Sequence, residues 1–224
     1  MGSHGMRPIV VAVMAKAPRL GGVKTRLCPP LSLREATRLY RCFLLDKIAQ
    51  VRTLREATPA IAYAPPEGRR VFEAWAPGFV LVPQRGADLG SRLFNSLDQL
   101  FAKGYAAALA IDSDTPTLPT AYLRQALDLL ATPQVDVVLG PSEDGGYYLI
   151  GLRTLQRELF EGIPWSTARV LPETVRRAEA KGLQVACLSP WFDVDTPDDL
   201  GRLEASLVKT EGVEPWHTRR FFLG

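Results

Sequence analysis

Asp112 and Asp114 stand two residues apart at the end of an apolar run, Ala106 to Ile111. In an extended chain such residues project to the same side, so the two carboxylates can converge on one point. Hard paired oxygens at a strand end suit Mg²⁺ or Mn²⁺, which bind through one or two protein carboxylates plus the phosphates of a substrate. The same stretch, Asp-Ser-Asp-Thr-Pro, also reads as an Asx turn ended by Pro116, and both readings stand. A second alternating pair, Asp193 and Asp195, could complete or support the same metal shell. Asp198 and Asp199, just beyond it, fit the N-terminal dipole of a helix.

Positive charge collects at the other end of the chain. Lys16, Arg19, Lys24 and Arg26 surround Gly21-Gly22 directly after the apolar run Ile9 to Val13. A glycine-rich turn beyond a buried strand lets backbone N–H groups approach phosphate oxygens, while Lys16, Lys24 and Arg26 neutralise them. The spacing lacks the earlier glycine of the G-x-x-x-x-G-K-[ST] loop, and an ordinary solvated loop is the competing reading.

Two further segments have chemical potential. Asp144-Gly145-Gly146-Tyr147 lies between two apolar runs, which is a hairpin signal. The same turn could present Asp144 to an acceptor hydroxyl, with Gly145, Gly146 and Tyr147 or Tyr148 lining the pocket; the two readings are compatible. Trp165 could stack on a ring of the substrate or simply pack, and Ser166 is expected to cap the helix after it.

Composition narrows the chemistry. The only histidines are His4 and His217, which argues against a histidine triad or a histidine-rich zinc site. Cys28, Cys42 and Cys187 are odd in number and widely spaced, so no disulfide framework is expected and a reducing cytoplasm fits. With 27 basic against 24 acidic residues, bulk charge does not indicate a nucleic-acid surface, and Arg219-Arg220 beside aromatics is too little to make one. No apolar run reaches the roughly 18 residues of a membrane span.

These groups need a scaffold. Short apolar runs alternate with amphipathic segments, the pattern of parallel strands covered by helices on both faces, so the class is α/β. Strands are expected near 8–15, 59–63, 79–82, 105–111, 135–139, 147–151 and 183–188. A long helix opens with a Ser32–Glu35 capping box and places Ala36, Leu39, Tyr40, Phe43, Leu44, Ile48 and Val51 on one face. Further helices are expected near 68–76, 89–103, 120–131, 167–181 and 197–207, the last with Thr196 as N-cap. One domain spans residues 7–208. Residues 1–6 look like a remnant of an expression tag, and 209–224 form a tail that packs on the domain or on a second copy of the chain.

The motifs K-A-P-x-x-G-x-V-K-T-R-L, D-L-G-x-R-L at 88–93, D-S-D-T-P, G-P-S-E-D-G-G-Y-Y-L-I-G-L, P-W-S-T and D-V-D-T-P-D-D-L occur in that order. Together they resemble the bacterial selenodomain-associated transferase family, often labelled as arsenosugar-biosynthesis glycosyltransferases. The resemblance implies a single-domain GT-A-like, nucleotide-diphospho-sugar transferase fold with one antiparallel strand. It implies Mg²⁺ or Mn²⁺ as cofactor, with Asp112, Asp114 and Asp193 or Asp195 as ligands. Phosphates fall to Lys16, Gly21, Gly22, Lys24, Arg26 and Arg92, and the acceptor side to Asp144. The expected substrates are a nucleotide sugar or a nucleoside triphosphate and a small-molecule acceptor. The family label favours glycosyl transfer; the crowded basic loop favours nucleotidyl transfer with release of pyrophosphate. A nucleotide-binding module without turnover is the third option.

Overall fold

The computed structural model describes residues 9–208 and 215–223. The tag-like stretch 1–6 and the first part of the predicted tail, 209–214, lie outside them. Strand β1 (Ile9–Lys16) forms the centre, because Val10, Val11, Ala12 and Val13 are apolar on both sides and almost fully buried. It pairs in parallel with β2 (Ala57–Ala64) on one side and β4 (Ala107–Ile111) on the other. Strand β3 (Val80–Pro83) continues beyond β2. Beyond β4 come β6 (Tyr147–Leu152), β5 (Val137–Pro141) and β7 (Val185–Cys187). The sheet order is β3-β2-β1-β4-β6-β5-β7, with β6 antiparallel to both neighbours. All seven expected strands are present.

Helices cover both faces, as continuous apolar strands require. One face carries α1 (Leu33–Arg52), α2 (Arg69–Trp75), α4 (Thr120–Ala131) and α6 (Pro197–Leu207). The other carries α3 (Leu89–Phe101) and α5 (Val170–Ala180). The α1 capping box forms as expected, and all seven apolar residues assigned to its inner face are buried. At α6, Asp199 Oδ2 accepts from the Thr196 amide at 2.7 Å and from its hydroxyl at 2.7 Å, which closes the predicted start.

The described part of the tail is a helix, α7 (Trp216–Leu223), packed on α1. Asp46 of α1 accepts from the His217 amide at 2.9 Å and the Thr218 amide at 2.7 Å. A side chain from one helix thus satisfies the first-turn donors of another. No helix among the described residues is long and apolar enough to cross a membrane.

Candidate active site

The order in which strands are added to the sheet reverses between the parallel strands β1 and β4, and open α/β sheets bind ligands beyond the carboxyl ends of the strands at such a point. Tyr40 of α1 ties these two ends together. Its buried hydroxyl accepts from the Lys16 amide at 3.0 Å and lies 2.9 Å from Ser113 Oγ. The basic loop and the Asp112–Asp114 turn are therefore neighbours. The segment carrying Asp193 reaches the same end by running parallel beyond β5: the Trp191 amide donates to Pro141 O and the Glu143 amide to Trp191 O, both at 3.0 Å. The Val194 amide then donates to Asp114 O at 3.0 Å.

The aspartates sort differently from the sequence expectation. Among the described residues no three carboxyl, thiol or imidazole groups stand close enough to hold one ion. The four expected ligands, Asp112, Asp114, Asp193 and Asp195, fall into two pairs. Asp114 and Asp195 are drawn together by Lys24, whose Nζ lies 2.7 Å from an oxygen of each. Asp112 and Asp193 form the other pair, with carboxyls near enough to share a proton. Alternation did separate neighbours by side, but each aspartate finds its partner on the other segment.

Among the described residues the Asp112–Asp193 pair is a candidate seat for a divalent cation. Burial raises the pKa of Asp112, and Lys47 pulls it partly back. Burial and the Asp112 charge together push Asp193 up to about 9, against the hydrogen bond from Ser142 Oγ at 2.6 Å. Asp193 Oδ1 is buried and accepts no hydrogen bond. Two carboxyls that repel when both are ionised, with an orphaned oxygen, suit a dication that would take the place of the shared proton. The local turn also forms, since Thr115 Oγ1 donates to Asp112 Oδ1 at 2.6 Å.

The basic loop is split in function. Lys16 and Arg26 are exposed, and the loop turns at Gly21, whose φ of +70° is a conformation glycine adopts without cost. Lys24 is placed differently from these two. Its side chain is only 6% exposed, and besides the two aspartates it donates to Val194 O at 2.8 Å. Burial alone would lower its pKa, but Asp114 and Asp195 outweigh that and hold it above the ordinary lysine value. Arg26 Nη1 lies 3.7 Å from Asp195 at the solvent edge.

The turn between β5 and β6 is the predicted hairpin, and it sits beside the carboxyls through the Ser142–Asp193 bond. Asp144 is exposed, and its Oδ1 accepts from the Gly146 amide at 2.9 Å. Gly145 packs against Ala168, so the hairpin leans on the segment before α5. Tyr147 and Trp165 meet edge to face, with ring centroids 6.2 Å apart, and Trp165 Nε1 donates to Phe160 O at 3.3 Å. Trp165 is thus a packed, half-buried residue, as one of its two readings held. Ser166 does not cap α5: it lies at φ 62°, and Arg169 occupies the N-cap. Arg92 is in the first turn of α3, where its Nε donates to Gly86 O at 3.0 Å.

Lys47 escaped the sequence reading, and Tyr40 entered it only as an apolar-face residue of α1. Lys47 is buried, and its Nζ donates to Thr115 O at 2.9 Å and to Thr115 Oγ1 at 3.1 Å. The available signal was position, because Lys47 lies four residues after Phe43 and three after Leu44 on the inner face of α1.

A mostly parallel sheet with helices on both faces, bearing its acidic and basic groups at the reversal point, is the nucleotide-diphospho-sugar transferase fold. The chain belongs to the family described as "Uncharacterized protein conserved in bacteria (DUF2064)", whose profile matches residues 47–167. It is similar, at 32% identity and a TM-score of 0.86 over 97% of this chain and 95% of the other, to a Desulfovibrio desulfuricans G20 protein provisionally described as a nucleotide-diphospho-sugar transferase. The fold also matches 4-diphosphocytidyl-2C-methyl-D-erythritol synthase from Anaerococcus prevotii DSM 20548 at 10% identity and TM-score 0.61, covering 90% and 96%. CMP:2-keto-3-deoxy-manno-octonic acid synthetase matches at 14% and 0.53, covering 90% and 99%. No curated protein matches the chain.

Proposed function

We propose that the protein is a divalent-cation-dependent transferase that moves a glycosyl group from a nucleotide-diphospho-sugar to a small-molecule acceptor. The observation that carries this reading is the placement of a buried carboxyl pair, Asp112 and Asp193, at the sheet's reversal point beside a loop with exposed Lys16 and Arg26. Similarity to the Desulfovibrio protein and the resemblance to the selenodomain-associated transferases support the glycosyl reading.

Mg²⁺ or Mn²⁺, held by Asp112 and Asp193, would supply positive charge to the donor phosphates. Lys16, Arg26, Arg92 and the amides of the Gly21-Gly22 turn neutralise the remaining phosphate oxygens. Gly145, Gly146, Tyr147 and Trp165 border the acceptor. The acceptor oxygen forms its bond to the anomeric carbon as its proton passes to Asp144. The bond from that carbon to the diphosphate breaks, and its electron pair leaves with the nucleoside diphosphate.

Nucleotidyl transfer is the second reading, favoured by the exposed cations directly after β1, which suit the greater charge of a triphosphate. Incubation with Mn²⁺, nucleotide sugars or nucleoside triphosphates, and a panel of hydroxylated acceptors separates the two. Release of nucleoside diphosphate supports glycosyl transfer, and pyrophosphate supports nucleotidyl transfer. Ligand-induced thermal stabilisation with neither product would leave a binding module.

A further inference from the structure

Four carboxylates gather at one end of the sheet, which on count alone would suit a pair of divalent ions a few ångströms apart, the arrangement of many phosphoryl-transfer sites. The structure argues for one. Asp114 Oδ1, Asp195 Oδ1 and Val194 O surround a single point at 2.7, 2.7 and 2.8 Å, and that point is the Lys24 ammonium. Three hard oxygens, two of them charged, are the donor set a divalent ion would use, but these distances are those of an ammonium; Mg²⁺ would require about 2.0–2.1 Å.

Several features hold Lys24 in this place. Its backbone is left-handed, with φ 50° and ψ 33°, which L residues adopt only where the surroundings enforce it. Its carbonyl accepts from the Leu27 amide at 3.1 Å, and the Val194–Asp114 backbone bond joins the two aspartate segments around it. The other cations of the loop, Lys16, Arg19 and Arg26, remain exposed. Asp193 Oδ1 and Asp114 Oδ1 are both buried without a hydrogen bond, but Asp114 Oδ1 has the Lys24 ammonium 2.7 Å away, whereas Asp193 lies on the pair that Lys24 does not touch.

The structure assigns Lys24 as a built-in cation: its ammonium fills the seat between Asp114 and Asp195 that a second divalent ion would take, leaving the protein one dication at Asp112 and Asp193. This rests on the proposed metal dependence of the site. It also removes Lys24 from the phosphate-binding set.

Mn²⁺ titration of the full chain, followed by calorimetry and electron paramagnetic resonance, tests it. The wild type is expected to bind one equivalent. Lys24→Met, which keeps the stem and removes the charge, should bind two and show the spectrum of a coupled Mn²⁺ pair. Two equivalents in the wild type, or one in a folded Lys24→Met variant, would overturn the assignment and leave metal dependence standing. No binding to the wild type would remove the metal reading itself. Should Lys24→Met fail to fold, Asp195→Asn decides. If Asp195 serves only Lys24, Mn²⁺ affinity changes by less than about threefold. If Asp195 is a ligand of the single ion, affinity falls tenfold or more, in the range that disturbed metal shells show.

Discussion

Lys47 Nζ donates to the Thr115 carbonyl at 2.9 Å, joining the inner face of α1 to the turn that carries Asp112 and Asp114. The ammonium is buried, and burial pulls its pKa below the ordinary lysine value while the nearby aspartates oppose the shift. Lys47→Ala leaves a cavity and removes one of the two donors to the Thr115 carbonyl, the Leu118 amide at 3.2 Å being the other, so it should destabilise the protein by about 2–5 kcal/mol. Lys47→Met refills the volume and removes a buried charge, and is expected to cost less than half as much. Urea denaturation of both variants measures the difference.

Asp193 gives the metal-free protein a definite pH dependence. Its folded pKa, about 9, lies above the unfolded value of 3.8, so the native state holds a proton that the unfolded chain has lost. That contribution is complete at low pH and disappears as pH rises through the folded value, with a slope of at most about 1.4 kcal/mol per pH unit. Thermal melts in chelator from pH 6 to 10 should show the wild type losing stability relative to Asp193→Asn. Parallel curves for the two would show that no raised carboxyl is present.

Asp112→Asn separates chemistry from folding. It removes one charge from a pair whose members repel when ionised, so the melting temperature should stay level or rise in metal-free buffer. It also removes a hard oxygen from the pair proposed to hold the cation. Mn²⁺ affinity should fall at least tenfold, and turnover by on the order of 10²-fold or more. A variant with wild-type Mn²⁺ affinity would exclude Asp112 as a ligand.

The parts of this architecture legible in the sequence are those set by neighbours in the chain. The inner face of α1 follows from spacing between Ala36 and Val51, and the hairpin follows from Asp144-Gly145 between apolar runs. The relationships that define the site span the whole chain and have no local signature. Lys24 reaches Asp195 across 171 residues, and Ser142 reaches Asp193 across 51. Alternation placed Asp112 and Asp114 correctly as strand-end carboxylates, but only tertiary packing decides which aspartate a buried lysine claims. Ser166 fails as a cap for a different reason: the left-handed turn at that residue delays the helix to Val170.

Asp46 offers a test of the α7 contact. Three donors converge on its carboxylate: the His217 amide, the Thr218 amide and the Thr218 hydroxyl, at 2.9, 2.7 and 2.6 Å. Asp46→Ala should cost about 1–2 kcal/mol, the usual loss when a helix N-terminus is uncapped. The effect should be local, appearing in hydrogen exchange as faster exchange of the α7 amides with the β1 and β4 amides unchanged. Uniform acceleration across the sheet would mean that α7 unfolds only with the whole domain.

Gly140 lies one residue before the end of β5, where a β-carbon would sit 2.4 Å from the Tyr148 ring. Tyr148 has little room to yield, since it is almost fully buried and its hydroxyl donates to Ser189 O at 3.0 Å. That bond fixes the chain just before Trp191, whose pairing with Pro141 and Glu143 brings Asp193 beside Ser142. Gly140→Ala should therefore cost about 1–3 kcal/mol through overpacking, and the displaced ring should shift the Asp193 segment. The expected result is a weaker Mn²⁺ affinity as well as a lower melting temperature. Gly104→Ala, at a glycine whose β-carbon would meet nothing within 4 Å but whose φ is +91°, provides the comparison. It should lower stability while leaving Mn²⁺ affinity at the wild-type value, because its strain is remote from the carboxyl pair. Equal loss of affinity in both variants would show that metal binding follows global stability rather than the packing of Tyr148.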